Sequence, residues 1–499
     1  MTFNKGKVKI KTMRLVKKSF NAVRKNLALI YITILGFLIR TGGIMWGIPY
    51  ILHNDESVTV RSSLGMRFGD LNPHHFDWPS LYFYINYAVF WFFIKLRTQL
   101  QILFGVDKMR ELFPFWWGPE MPFYVLGRII SATFSTVTIF LVYKISKEVT
   151  KNKKTSLLAS LFFSLSYLSV YFSYYALSDN ALTFFMTTAL YFTVKTIKKP
   201  KYKNYILSGI MIGLATAIKY TGFLSGIILM LAHFIRKEEY LKPHKKDAKL
   251  LLAGIISLLT FFISVPYALL DWETFINTQD ATGAFWQIKH IGKAPNWLYH
   301  LGYALPLNFG WPLALVGFLG IIMILIQKNK ELRIVAISFL VFIAYIGSWG
   351  ITRWHYTLPM VPLLSISSAY AIEKIRTDNK IKILLIIGLL IIPIYKISVE
   401  IIKRNNTDTR ILAGQWIEKN IPKGSVISTT GNKTGYYGGQ NPIFNWEEYK
   451  VIKKKANKKE KSLYTINKER EITEDNSSCV IFENKWSTGP KIQICKLPK

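Results

Sequence analysis

Residues 51–57 read ILHNDES, and two adjacent carboxylates, Asp55 and Glu56, follow directly on the apolar run NLALIYITILGFLIRTGGIMWGIPY. Ionised carboxylates beside hydrocarbon are costly, so a pair kept there is a candidate reaction centre. A carboxylate at a water boundary can take the proton of a hydroxyl as that hydroxyl attacks an electrophile, which is the work of a general base. The cations that could serve with it are spread along the chain. Arg128 lies in VLGRIISATF, Lys219 in GLATAIKYTGF, and Arg353 with His355 in ITRWHYTLPMVPLL. Each stands at the end of an apolar run, where a basic side chain either grips phosphate oxygens or snorkels to lipid headgroups. Asp179 in ALSDNALTFF suits a helix N-cap. Lys219 has no acid near it in sequence and requires an anion or a distant carboxylate. His53, His74 and His75 stand near the acids, but no i, i+4 histidine pair and no CxxC occurs, so zinc spacing is absent. The acid pair is the place for a loosely held divalent cation, Mg or Mn, because hard cations accept a few carboxylates together with substrate phosphate. No cofactor is otherwise indicated.

These residues must be positioned by apolar helices. The 499 residues are 51% hydrophobic and 15% aromatic, with a formal charge of +35. The apolar residues fall into runs of roughly 20, the length that crosses ~30 Å of hydrocarbon. Lys and Arg gather at the ends of those runs, in KISKEVTKNKKT, KTIKKPKYKN, RKEEYLKPHKKDAK, QKNKELR and EKIRTDNKIK. That is the charge bias of membrane topology, and it argues against nucleic acid as a partner. The N-terminus is basic and free of acids, and the apolar run after it has no small-residue cleavage site, so it reads as a retained span with a cytoplasmic start. The count comes to about 11 spans, and odd parity puts both HNDES and the tail outside. The predicted fold is a polytopic α-helical membrane protein in the plasma membrane. It has a basic cytoplasmic segment 1–26, a membrane domain 27–400 with outer loops 51–124 and 271–304, and a small extracytoplasmic α/β domain 401–499. Within the first outer loop, HFDWPSLYFYINYAVFWFFIKL reads as an interfacial or re-entrant helix. In the tail, DTRILAGQWIEKNIP has helical spacing, KGSVISTT reads as turn and strand, and CVIFE with KIQICK as a hairpin around WSTGP. That hairpin would set Cys479 nearly opposite Cys495; an oxidising exterior permits a disulfide there, and two separate thiols are the alternative.

The ordered set of motifs resembles the GT-C membrane glycosyltransferases of the protein O-mannosyltransferase and aminoarabinose transferase type (glycosyltransferase family 39-like). It consists of the DE pair after the first span, NPHHFDWPSLYFY, LGRIISATFSTVTIFLVYKI, YALSDNALTFF, GIMIGLATAIKYTGFLSG, HYTLPMVPLLSISSAYAI and DTRILAGQWIEKNIPKGSVI. Trp78-Pro79-Ser80-Leu81 stands where relatives have a Pro-Pro-Leu-type motif. The resemblance implies a sugar donor on a polyprenyl phosphate and a hydroxyl acceptor (protein, lipid or glycan) reached from outside. It implies Asp55 as base and Glu56 as its partner, with Arg128, Lys219, Arg353 and His355 on the donor phosphate. Asp179, Tyr220, Tyr356 and His75 are then the substrate-binding candidates. Other classes compete. A secondary transporter would place its charges near the midplane in repeated, broken helices, whereas here they gather on one face and no repeat is visible. En bloc transfer of a lipid-linked oligosaccharide and a non-enzymatic scaffold are the remaining alternatives.

Overall fold

The apolar runs fold as helices. The structure, a computed structural model, describes residues 26–66, 69–237, 244–281, 295–350, 352–429, 441–453, 463–468, 472 and 478–497. Helices α1 (Asn26–Thr41), α2 (Asn54–Gly65), α3 (Leu81–Phe104), α4 (Val106–Leu112) and α5 (Met121–Thr150) come first. They are followed by α6 (Lys153–Ser164), α7 (Tyr167–Tyr171), α8 (Asp179–Lys198), α9 (Tyr202–Ile218) and α10 (Leu224–Lys237). Next are α11 (His244–Ser264), α12 (Tyr267–Leu270), α13 (Trp272–Ala281) and α14 (Trp297–Leu325). The last are α15 (Lys330–Gly347), α16 (Val361–Lys374), α17 (Asn379–Asn405) and α18 (Thr409–Asn420). Among the described residues, three helices are long and apolar enough to cross a membrane, namely α5, α14 and the run Asn379–Asn420 that α17 opens; the bent pairs α3–α4 and α6–α7 raise this to five if each is one span.

Other helices of the bundle are less obviously apolar, for a physical reason. α8 carries threonines at 183, 187, 188, 193 and 196, and several return their hydroxyls to the helix itself: Thr183 donates to the Asp179 carbonyl at 2.9 Å and Thr187 to that of Thr183 at 2.6 Å. A hydroxyl satisfied in this way can be buried without an external partner. By contrast α17 leaves Ile381, Leu384, Ile387, Ile391 and Ile394 exposed along one stripe, an apolar face suited to lipid or a protein partner rather than water. The helix expected in the first outer loop is α3, and it breaks from α4 by 113°. The break falls at Gly105, whose φ of 85° a residue with a Cβ would resist. A bend of this size suits a broken span as well as a re-entrant segment.

Beyond α17 lies the sheet domain, with β1 (Val426–Thr429), β2 (Lys450–Lys453), β3 (Tyr464–Lys468), β4 (Cys479–Phe482) and β5 (Ile492–Lys496) in the order β2-β1-β3-β5-β4. The β1 strand is parallel to β2 and β3, while β5 is antiparallel to β3 and β4. Ala413 and Ile417 of α18 pack on Ile427, Ile466 and Ile494 of the sheet. Cys479 and Cys495 face each other in the β4–β5 register and form a disulfide. The boundary expected at 401 falls inside α17, which runs on to Asn405 because its last turns are packed: Glu400 and Arg404 are both buried. Asp408 then caps α18. Burial would raise its carboxyl, but Arg410 and the Thr488 hydroxyl hold it below the usual carboxylate range. The basic segment 1–25, most of the lysine-rich tract KVIKKKANKKEK and residues 282–294 of the second outer loop lie outside the described residues.

Candidate active site

Asp55 and Glu56 occupy the first turn of α2. Adjacent residues on a helix point ~100° apart, so the two carboxylates cannot share one face. Asp55 is exposed toward a cavity, whereas Glu56 is fully buried. The Glu56 partner is Arg128 of α5, also fully buried, whose Nε and Nη2 donate to Oε1 and Oε2 at 2.8 and 2.9 Å. The remaining Nη1 donates to the carbonyls of Ile44 and Trp46 at 2.7 and 2.8 Å, and the Ala176 amide donates to Glu56 at 2.9 Å. Four of the five Arg128 N–H donors are spent on the two carboxylate oxygens and two backbone carbonyls, and the fully buried side chain does not line the cavity, so it is not placed to grip a phosphate there. The expectation that Arg128 grips the donor is therefore corrected, as is the pairing of Glu56 with Asp55. Glu56 and Arg128 are a structural pair that fixes α2 against α5. A divalent ion shared by Asp55 and Glu56 does not fit this arrangement, and no group of three or more His, Cys, Asp or Glu gathers for a metal among the described residues.

The other cations do reach the cavity. The chain leaves α9 at Lys219 in an extended conformation (φ −148°), which turns the side chain toward α8, and its Nζ donates to Asp179 Oδ1 at 2.7 Å. The distant carboxylate that Lys219 requires is thus Asp179, which sits at the start of α8 after Ser178 and makes an ion pair instead of an N-cap. An ammonium has three donors, so the pair leaves Lys219 able to bind a further acceptor. Tyr220 donates its hydroxyl to the Phe76 carbonyl at 2.8 Å, and Gln279 of α13 donates to both groups at 2.6 and 2.9 Å. These bonds pin the stretch that carries Asp77 and Trp78. On the far wall a 3-10 turn, Trp354–Met360, precedes α16; its Pro359 and the Pro362 that follows punctuate the turn. Arg353, just before that turn, is exposed at the cavity and makes no ion pair among the described residues.

Together these segments enclose a cavity of about 460 Å³. It is lined by Asp55, Asp179, Lys219, Tyr220, Arg353, His355 and Tyr356, seven of the ten residues singled out from sequence. His75 lies one layer back, its ring 5.4 Å from that of Trp78. Residues not assigned a site role from sequence also line it: His53, Asp77, Trp78, Tyr171, Trp349 and Trp354. Their rings interlock, Tyr171 with Trp354 at 4.9 Å and Trp349 with Tyr356 at 5.4 Å. Apolar and aromatic walls around a few polar groups are the usual make-up of a small-molecule site. The clustering of Trp349, Arg353, Trp354 and His355 in one short stretch was a usable signal.

A family model described as dolichyl-phosphate-mannose-protein mannosyltransferase matches residues 125–267, the segment holding Arg128, Asp179, Lys219 and Tyr220. Dolichyl-phosphate-mannose–protein mannosyltransferase 1 of Saccharomyces cerevisiae is 27% identical over 169 residues, 33% of this chain and 21% of its own. An undecaprenyl phosphate-α-4-amino-4-deoxy-L-arabinose arabinosyl transferase of Proteus mirabilis is 24% identical over 262 residues, 51% of this chain and 47% of its own. The match therefore spans less than half the length of these curated relatives. Among solved structures, ArnT from Cupriavidus metallidurans, bound to undecaprenyl phosphate, aligns with a TM-score of 0.54 at 10% identity, covering 96% of this chain and 99% of that one. The Archaeoglobus fulgidus oligosaccharyltransferase aligns with a TM-score of 0.52 at 12% identity, over 82% and 63%. The chain resembles the protein O-mannosyltransferases and aminoarabinose transferases in the sequence of its central segment, and it shares the fold of the GT-C glycosyltransferases.

Proposed function

We propose that this protein is a membrane glycosyltransferase that moves a sugar from a polyprenyl-phosphate donor to a hydroxyl acceptor, with Asp55 as general base. The observation that carries this reading is the cavity itself. A solvent-facing carboxylate, two cations and aromatic walls converge at one end of an apolar bundle. The acceptor hydroxyl gives its proton to Asp55 as its oxygen bonds to the anomeric carbon. The bond from that carbon to the phosphate oxygen breaks, and the electron pair leaves with the polyprenyl phosphate. A single displacement of this kind inverts the anomeric centre. Charge grows on the departing phosphate, and Lys219 and Arg353 stand ready to stabilise it. Asp179 holds Lys219 in place, and the faces of Trp78 and Tyr356 suit the apolar face of a sugar. A volume of about 460 Å³ favours a single sugar over a whole oligosaccharide. Incubating membranes with a radiolabelled polyprenyl-phosphate sugar tests the reaction; absence of any transfer product under conditions that support a known transferase would refute it.

Arg353 is the cleaner probe of donor binding, because removing Lys219 would also strand Asp179. A charge-assisted contact contributes ~1.5–3 kcal/mol, so Arg353→Gln should weaken donor affinity about tenfold or more with the fold intact. Unchanged affinity in that variant would take Arg353 off the phosphate.

We place about 11 spans in a plasma membrane, with the N-terminus in the cytoplasm and the domain after Asn405 outside, where the acceptor is met. Reporter fusions after Lys153 and Lys499 should then read cytoplasmic and external respectively. A cytoplasmic signal at Lys499 would move the acceptor site to the wrong face.

A further inference from the structure

The Asp55 carboxylate is placed by the backbone before it, and that backbone is held from two sides. From the bundle, Arg128 fixes the carbonyls of Ile44 and Trp46. From the outer domain, Arg410 of α18 donates through Nη1 to the Leu52 carbonyl at 3.3 Å, three residues ahead of Asp55. Arg410 is in turn fastened by two oxygens of Asp408, at 2.8 and 2.9 Å. Asp408 also accepts from the Thr488 hydroxyl at 2.7 Å, and that hydroxyl accepts from the Trp46 indole at 2.8 Å. One chain of hydrogen bonds, buried at Asp408 and Arg410 and half-buried at Thr488, therefore runs from Trp46 through Thr488, Asp408 and Arg410 to Leu52.

Thr488 sits in the loop of the β4–β5 hairpin that the Cys479–Cys495 disulfide closes. Within the outer domain the loop is tied to the start of α18. Asn406 donates to the Trp486 carbonyl at 2.6 Å, and the Thr409 amide to the Thr488 carbonyl at 3.0 Å. Gly489, with φ of 99°, leaves no room for a side chain against Asp408 and Thr409.

We infer that the outer domain is a working part of the catalytic site: through Asp408, Arg410 and Thr488 it holds residues 46–52 so that α2 presents Asp55 to the cavity. Arg410, Asp408 and Thr488 are positioning residues; they line no part of the cavity. The inference rests on Asp55 as base. A reacting group displaced by ~1 Å can lose up to about 10²-fold in rate, so a junction that sets its position should act on turnover rather than on donor binding.

The test uses the full-length protein reconstituted in lipid, with Arg410→Gln, Arg410→Lys and Thr488→Val. Arg410→Gln should lower kcat about tenfold or more with donor affinity within about twofold, and Arg410→Lys, which keeps a donor and a charge, should recover part of the loss. Thr488→Val breaks the chain while preserving shape and should act in the same direction. Hydrogen exchange should quicken at residues 50–58 and stay unchanged in β3 and β5. Normal kcat in both Arg410→Gln and Thr488→Val overturns the inference. So does a loss accompanied by faster exchange throughout the sheet, since that marks general unfolding of the domain. Asp55→Asn measured alongside separates the two readings. If it is crippled while the junction variants are normal, only the junction role fails; if it retains turnover, the base assignment fails, and the exchange data still decide whether the junction holds residues 50–58.

Discussion

Asp55→Asn should cut turnover by ~10²–10⁴ and leave donor binding nearly unchanged, because Asn keeps the size and much of the hydrogen bonding of Asp but cannot accept the proton. A hydroxyl is a weak nucleophile at neutral pH, and the carboxylate removes its proton only as the new bond forms. The location of Asp55 suits that role. It is exposed at the cavity and sits in the first turn of α2. Transfer from a radiolabelled donor and donor affinity, both measured on the purified variant, check the expectation. Near-normal turnover in a folded Asp55→Asn protein would return HNDES to a solvated helix start. Asp77, which lines the cavity beside Asp55 and the Lys219-paired Asp179, would then become the base to test.

What was legible in the sequence follows from what local pattern encodes. Apolar runs bounded by lysines gave helices, and alternation in CVIFE and KIQICK gave the hairpin with its facing cysteines. The cavity cations at 219 and 353 were visible because a charge at the end of an apolar run stands out. Partnership was not legible. Glu56 and Arg128 are 72 residues apart, and Asp179 and Lys219 are 40 apart, so only the packed bundle says which acid meets which base. Adjacency in HNDES suggested a working pair, yet the turn of a helix sends neighbours to different faces, one to the cavity and one to the core. Aromatic residues were ambiguous for another reason: Trp78, Trp349 and Trp354 have the same composition as a headgroup belt, and only the enclosed cavity distinguishes a wall from a belt. The hold of Arg410 on Leu52 joins positions 358 residues apart, and no local signal marks it.

The largest effect on stability should come from Arg128. Removing one partner of a buried ion pair leaves the other charged and unpaired, which costs about 3–5 kcal/mol. Arg128→Met does this to Glu56, whose two oxygens otherwise receive the fork and the Ala176 amide. It also strips the donors from the Ile44 and Trp46 carbonyls, so the loss should lie toward the upper end of that range. Arg128→Lys retains the charge but not the fork and should fall between Met and wild type. Glu56→Gln keeps the shape and an acceptor for Ala176, yet strands the guanidinium, so it too should destabilise; an orienting partner of Asp55 would instead lose rate with stability intact. Thermal unfolding in detergent, read beside donor affinity, separates the roles. Because Arg128 and Glu56 fasten α2 to α5, a lower unfolding temperature with normal donor affinity in the surviving folded fraction is the expected pattern. A normal unfolding temperature with weakened donor binding would put Arg128 back on the phosphate.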